Sequence, residues 1–271
     1  MNKVKKLLAI LGLVIYLSVS VNGTASAQTT VTVGVIGDST DPIWELVQEN
    51  LGEAIQIELV SFMDGIYANQ AQAEGELDLT AFQHNAFLNS EIADKGYELV
   101  AIGNTIISPM NIYSDNISDI SELSEGDQIA IPNNVTNMGR ALIVLDRAGL
   151  IKVDPSKGFL PDITDIIENP LNLDIVEADP ALIPQALPDL AAGITNSDLA
   201  IDFGLNPVKD AIFALDIDPD NEDLQPYINI IVARTEDAEN EIYLKIVEAF
   251  QQDNVAEFIL AHYDNAMIPA W

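Results

Sequence analysis

The chain has 271 residues, no cysteine, two histidines, and 43 acidic against 11 basic side chains, for a formal net charge of −32. That balance excludes nucleic acid as a partner, because phosphate binding needs clustered Lys and Arg, and the lack of Cys leaves a hydrophobic core to hold the fold. The acids are scattered among plentiful apolar residues, as in a folded protein with an acidic coat and unlike a disordered acidic tail.

Met1-Asn2-Lys3-Val4-Lys5-Lys6 precedes the apolar run Leu7 to Val21 and the small residues Ala25-Ser26-Ala27. This is the pattern of a Sec-type secretory signal over residues 1–27. The run is 15 residues long, short of the roughly 20 that span a bilayer. Cleavage before Gln28 is expected, with retention as an N-terminal anchor as the alternative. Without cysteine, the exported chain is expected in the periplasm or outside the cell, not lipid-anchored through cysteine. Eight Lys and Arg follow residue 27, so the remaining chain carries 35 net negative charges. A salty, halophilic habitat would account for such a coat, and so would divalent cations.

Thr30 to Ile36 alternates polar and β-branched residues and predicts a strand. Asp41 and Pro42 suit an N-cap and the first position of a helix over Ile43 to Leu51. A strand over Ile55 to Phe62, a helix over Ala68 to Glu74, a strand over Leu77 to Phe82 and a helix from Leu88 to Lys95 follow. A strand over Leu99 to Ile107 closes this first series. The rhythm restarts after Pro109 with a strand at Asn111 to Tyr113, a turn-rich helix over Ile117 to Leu123 and a strand at Gln128 to Ile131. A helix then runs from Asn137 or Met138 to Ala148. Asp174 to Glu177, Leu199 to Ile201 and Tyr227 to Ala233 read as strands, and Glu236 to Gln252 and Val255 to Tyr263 as helices. Alternating β and α segments predict open α/β sheets. Two such halves imply a bilobal protein with its ligand in the cleft at the strand C-terminal ends. The expected division is 28–110 for the first lobe, 111–229 for the second, and 230–271 returning to the first.

Two polar segments stand out. His84 lies between Phe82 and Phe87 just after a predicted strand, which suits a small molecule that is half apolar and half polar. The alternative is a strand end packing aromatics into a core. Downstream, Asn133 to Leu142 leaves a strand and enters a helix, with Arg140 in the predicted first turn. A guanidinium there, where the helix dipole disfavours a cation, suits bidentate capture of a carboxylate. A surface Arg paired with one of the many acids is the alternative. Asn196 and Asn229 interrupt apolar runs and must find hydrogen bonds, from a ligand or from neighbouring backbone.

Taken in order, Phe62-Met63-Asp64, Leu77-Asp78, Phe82-Gln83-His84, Pro109 to Ser114, Ile131-Pro132-Asn133, Asn137 to Leu142, Ala148 to Ile151, Glu168-Asn169-Pro170, Gly204 to Pro207 and Tyr227 to Ile230 resemble the NlpA/MetQ family over nearly the whole chain after residue 27. The resemblance implies a type II periplasmic-binding fold, two α/β lobes joined by a two-strand hinge. It implies an extracytoplasmic binding protein of an ABC importer, delivering methionine or a related amino acid to a permease with its ATPase. Phe82, His84 and Phe87 would contact the ligand side chain, Arg140 its carboxylate, and Asn137, Asn196 and Asn229 its polar groups. The chain departs from the family at Gly65 and Phe87, each in place of a tyrosine, at Ala86 in place of a proline, and at Asp198 in place of an amide.

No enzyme is expected, nor any cofactor or metal. The two histidines and scattered acids give no zinc spacing, and Ser39 and Ser197 have no base visible in sequence, so a hydrolase is only an alternative. So are a short-peptide ligand and Ca²⁺ binding at the acid-rich stretch Asp216 to Asp223, which lacks the glycine and spacing of an EF-hand. A monomer is expected.

Overall fold

The computed structural model describes residues 28–271 except 216, 219 and 220. The expected signal, residues 1–27, lies outside the described residues, as do three positions of the acid-rich stretch. Among the described residues no group of His, Cys, Asp or Glu is arranged to hold a metal ion, and no helix is long and apolar enough to cross a membrane.

Two five-stranded sheets organise the chain. In the first, Ile55–Phe62, Thr29–Ile36 and Leu79–Thr80 run parallel, then Ile230–Arg234 antiparallel, then Leu99–Asn104 at the far edge. The second repeats the plan with Asp174–Ala178, Gln128–Pro132 and Ala192–Asn196 parallel, then Met110–Tyr113 antiparallel, then Ala211–Phe213. In each sheet the antiparallel strand is the one entering from the other. The two crossing segments bond to each other: Thr105 N–H donates to the Asn229 carbonyl and Asn229 N–H to the Ile106 carbonyl, both at 2.8 Å. The fold is a bilobal α/β periplasmic-binding architecture, and the paired crossing strands form its hinge.

Eight helices are described: α1 (Asp41–Leu51), α2 (Gly65–Ala73), α3 (Asn85–Lys95), α4 (Val135–Arg147), α5 (Ile183–Ala186), α6 (Ser197–Asp202), α7 (Glu241–Phe250) and α8 (Asp253–His262). On the first sheet α1, α7 and α8 bury Ile43, Trp44, Val47, Ile246, Phe250 and Ile259 against Val31, Val33 and Val35. Trp44 and Phe250 meet edge to face at 5.3 Å. At about 25 cal/mol per Å² of apolar surface removed from water, such a core replaces the missing disulfides. In the second lobe, α4 sets Ala141, Leu142, Val144 and Leu145 against Ile129, Ile131 and Ile194.

Several predicted elements are corrected. Leu199 to Ile201 is not a strand but part of α6, and the strand there is Ala192–Asn196. Three apolar residues cannot separate the two periods. Tyr227 ends a 3₁₀ turn holding Pro226, and the strand starts only at Ile230, because Ile228 and Asn229 are used in the crossing. Helix α7 begins later than predicted, since the Asn240 side chain accepts from Ile242 N–H and sets its start at Glu241, whereas α8 begins two residues earlier, at Asp253. The helix over Ile117 to Leu123 is a single 3₁₀ turn, Ile120–Glu122. Asp41 is the first residue of α1 and not its N-cap, which is Thr40 without a side-chain cap bond. The amides just before it are met from the other lobe: Asp202 accepts from Asp38 and Ser39 N–H at 3.3 and 2.7 Å. Gly37, at φ +64°, permits this approach, because a Cβ there would lie 1.7 Å from the Asp202 carboxylate.

The acidic coat carries its own prediction. Five ion pairs are found among the described residues, four with at least one partner well exposed and the fifth, Arg234 with Asp237, half-buried, so they contribute little against the repulsion of 43 carboxylates. Salt shortens the reach of that repulsion from roughly 30 Å at 0.01 M to about 3 Å at 1 M. The melting temperature is expected to rise with NaCl, most steeply at low concentration, while ligand affinity changes much less. A melting temperature flat across that range would assign the coat to solubility or to divalent cations instead.

Candidate functional site

Between the lobes lies a cavity of about 240 Å³, a size for a small molecule. All seven residues singled out above (Phe82, His84, Phe87, Asn137, Arg140, Asn196 and Asn229) line it. Ile36, Met63 and Gly65 join them from the first lobe, Asn134 and Asp198 from the second, and Ser108 from the hinge.

His84 ends the segment after Leu79–Thr80 and is the N-cap of α3; its Nδ1 accepts the Phe87 N–H at 3.1 Å. That acceptor role leaves the proton of the neutral ring on Nε2. Nε2 then donates to Asn137 Oδ1, 3.1 Å away in the other lobe, so the cleft is bridged. Burial, and then the Arg140 charge, push the imidazole down to about 4, which keeps it neutral at physiological pH. Its position is fixed from behind by Gln83, whose amide pairs twice with Asn69 at 2.6 and 2.9 Å and whose carbonyl accepts from Ile230 N–H.

Phe82 and Phe87 stand edge to face at 6.1 Å and make the apolar wall. Phe82 lies over Gly65 so closely that a Cβ at 65 would sit 2.2 Å from its Cε2. The ring thus occupies the space a side chain at 65 would fill.

Arg140 projects from α4, whose N-cap Asn134 accepts from Asn137 N–H at 3.0 Å. The helix begins at Val135, so Arg140 is in the second turn and not the first. The dipole argument weakens accordingly, because that field fades within one turn. Stronger reasons replace it. The guanidinium is buried, 8% exposed, its Nη2 donates to the Ser108 carbonyl, and it stacks 4.7 Å over the Tyr227 ring. Among the described residues it forms no ion pair. Burial brings it down to about 10, so it stays charged at neutral pH. A buried, unpaired cation on a cavity wall is an anion site in waiting, since such a charge is costly until paired.

Asn196 closes the strand before α6, and its Oδ1 is buried without a hydrogen-bond partner. Asn229 bridges to His84 through the backbone, which leaves its amide to line the cavity. Sequence reasoning missed Tyr227, Ser108 and Asn134 as parts of the site. Tyr227 and Ser108 support Arg140 from far away in sequence, a relation only the fold supplies, whereas Asn134 supports Asn137 locally as the helix N-cap. His262, the other histidine, stacks on Phe258 at 4.9 Å in α8, away from the cavity.

The sequence profile of the family described as NlpA lipoprotein matches residues 31–271. The D-methionine-binding lipoprotein MetQ of Escherichia coli (strain K12) is 37% identical over 245 residues, covering 89% of this chain and 88% of that protein. Outer membrane lipoprotein 3 of Mannheimia haemolytica is 40% identical over 241 residues, 88% of this chain and 89% of that one. Among solved structures, the methionine binding protein MetQ superposes with a TM-score of 0.84 at 37% identity, covering 89% of this chain and 98% of that one. A nutrient binding protein from Burkholderia cenocepacia bound to methionine gives 0.82 at 32%, covering 89% and 100%. These names overturn the expectation of a chain free of lipid. The family and both sequence relatives are called lipoproteins, a class held at a membrane by lipid on a cysteine. The expectation rested on cysteine count alone, which is zero in these 271 residues, and the family's mode of attachment is the finding that corrects it.

Proposed function

Because the chain belongs to the NlpA lipoprotein family, we propose that it is the substrate-binding component of an ABC importer, taking methionine or a related apolar amino acid into the inter-lobe cavity. It would act as a monomer and deliver the ligand to a permease with its ATPase. The family is one of binding proteins, and no turnover is expected. The observation that carries the reading is the cavity's polarity. A buried Arg140 without a carboxylate partner stands on one wall, and the apolar rings of Phe82 and Phe87 on another.

In this reading Arg140 takes the α-carboxylate, which makes the bidentate pair a planar guanidinium favours. Phe82, Phe87 and the neutral His84 hold the side chain, and Asn137, Asn196 and Asn229 complete the polar contacts. The proposed first lobe is 28–110 with 230–271, and the second 111–229, a division supported by sheet membership on either side of the paired crossing strands. Gly65 gives the side-chain end a ring, Phe82, in place of a hydroxyl.

The test is thermal shift in high salt against the amino acids, both stereoisomers of methionine and CaCl₂, followed by calorimetry. A ligand present at 100 times its Kd stabilises by about 2.7 kcal/mol, readily seen as a rise in melting temperature. A rise with methionine or another apolar amino acid, and none with Ca²⁺, is expected. A rise with Ca²⁺ alone would replace this reading with a cation-binding one.

A further inference from the structure

One contact between the lobes lies outside the cavity. Asp202 is the last residue of α6, in the second lobe, and it does not line the cavity, although Asn196 and Asp198 at the start of that helix do. Its Oδ1 accepts from the Ser39 and Asp38 N–H groups of the first lobe, at 2.7 and 3.3 Å. The turn that offers these amides is held from behind by its own lobe. Tyr263 Oη donates to the Ser39 carbonyl at 2.6 Å, and Ser61 Oγ to the Gly37 carbonyl at 2.9 Å. Gly37 has φ +64°, and a Cβ there would lie 1.7 Å from Asp202 Oδ2, so the glycine both shapes the turn and leaves room for the carboxylate. A second contact lies beside the first. Lys209 of the second lobe pairs with Asp264 at 2.8 Å, and Asp264 directly follows the Tyr263 that braces Ser39. Asp264 and Asn265 both have positive φ, 52° and 62°, a conformation kept where surrounding contacts fix it.

We propose that Asp202 is a latch: by docking on the amides of the turn at 37–39 it holds the lobes closed and sets how long the ligand stays, without touching the ligand. The inference goes beyond the amino-acid reading and rests on it only for the choice of probe. A carboxylate that accepts backbone N–H bonds makes a charge-assisted contact, stronger than a neutral one. Its donors and its acceptor belong to different lobes, so rotation about the paired crossing strands would part them. Two features keep the contact releasable. Asp202 is exposed as a residue, and desolvation of its carboxylate, with the charges of Asp198 and Asp38, works against it. The pair of Lys209 with Asp264 is exposed too and adds little by itself. A latch of this strength biases closure without locking it, as a protein that must also release its ligand requires.

A latch acts after the ligand has entered, so it is read in the rate of escape. A residue that only shapes its own lobe acts on association or on folding. Stopped-flow fluorescence of the full chain with methionine gives both rates. Asp202→Ala should leave association unchanged and speed dissociation by about 3- to 10-fold, the effect of one partly solvated hydrogen bond. Gly37→Ala should speed it at least as much, since the new Cβ takes the place of the carboxylate, but strain at a positive φ also threatens folding. Combining the two changes separates these causes. Once residue 202 is Ala the Cβ meets no carboxylate, so the double variant should release methionine no faster than Asp202→Ala alone.

Unchanged dissociation in Asp202→Ala overturns the proposal. So does slower association as the sole change, which assigns Asp202 to shaping the open site. A double variant whose two effects simply add overturns it as well, because the glycine and the carboxylate would then act apart. In each of these results methionine binds the wild type, and the amino-acid reading stands. If the wild type binds no amino acid, that reading falls alone, and small-angle scattering of the ligand-free chain decides the latch. Asp202→Ala should then be more open, with a larger radius of gyration than wild type, and equal radii would overturn the proposal.

Discussion

Replacing Arg140 by Ala is expected to weaken binding of any α-carboxylate ligand by roughly 30- to several-thousand-fold, the range of 2–5 kcal/mol for truncating one partner of a buried charge pair. The cause is specific. Arg140 is the cation of the cavity, it is buried, and its charge has no ion-pair partner among the described residues. Arg140→Lys keeps the charge but loses the planar fork, and the Ser108 and Tyr227 contacts that aim it. Affinity between those of the wild type and the Ala variant is expected. Both substitutions also loosen α4 from the hinge, so the ligand-free melting temperature is measured beside the affinity. A variant that melts like wild type but does not bind shows a lost carboxylate contact. Wild-type affinity in Arg140→Ala would remove Arg140 from the site.

The bilobal organisation was legible because it rests on many independent signals. Period-2 runs such as Thr30 to Ile36, the glycine stop at Gly96 and the restart after Pro109 each suggest the same α/β rhythm, and a few local errors leave it intact. His84 between Phe82 and Phe87, Arg140 at a strand-to-helix junction, and Asn196 and Asn229 amid apolar runs stood out because such polar groups demand partners, whereas Asn137 came only from the family resemblance. What could not be read was how those side chains are held. Tyr227 under Arg140, Ser108 accepting from it, and the Asn69–Gln83 pair behind His84 bring together positions from 14 to 87 residues apart. No local pattern records such pairings. Boundaries failed where a side chain from elsewhere decided them, as at Asp41, whose turn is completed by Asp202 from the other lobe.

The pH dependence of stability tests the bridged cleft. Free imidazole titrates near 6.5, and in the closed cavity His84 is pushed down to about 4 by burial and by Arg140. The folded state therefore binds fewer protons at this site than the unfolded chain between those values. Stability contributed by His84 is fully present above about pH 6.5 and is lost as pH falls toward 4, by about 3 kcal/mol at most, from 1.36 kcal/mol per unit. Asp202 works the other way. Burial raises its carboxyl to about 6, so it favours the folded state as pH falls from about 6 toward 4. Asp202 is exposed, where solvent screens much of the effect, whereas His84 is 4% exposed; His84 is expected to win. In high salt, which mutes the surface carboxylates, the melting temperature should fall from pH 7 to 5, while ligand affinity should hold until the pH nears 4, where His84 is protonated in the folded protein. Protonation places a second cation beside Arg140 and removes the acceptor for the Phe87 N–H. His84→Gln should be less stable at pH 7 yet show a flatter profile over the same range. Parallel profiles for the two proteins would mean that another group titrates there, and that the bond from His84 to Asn137 does not govern how the lobes stay together.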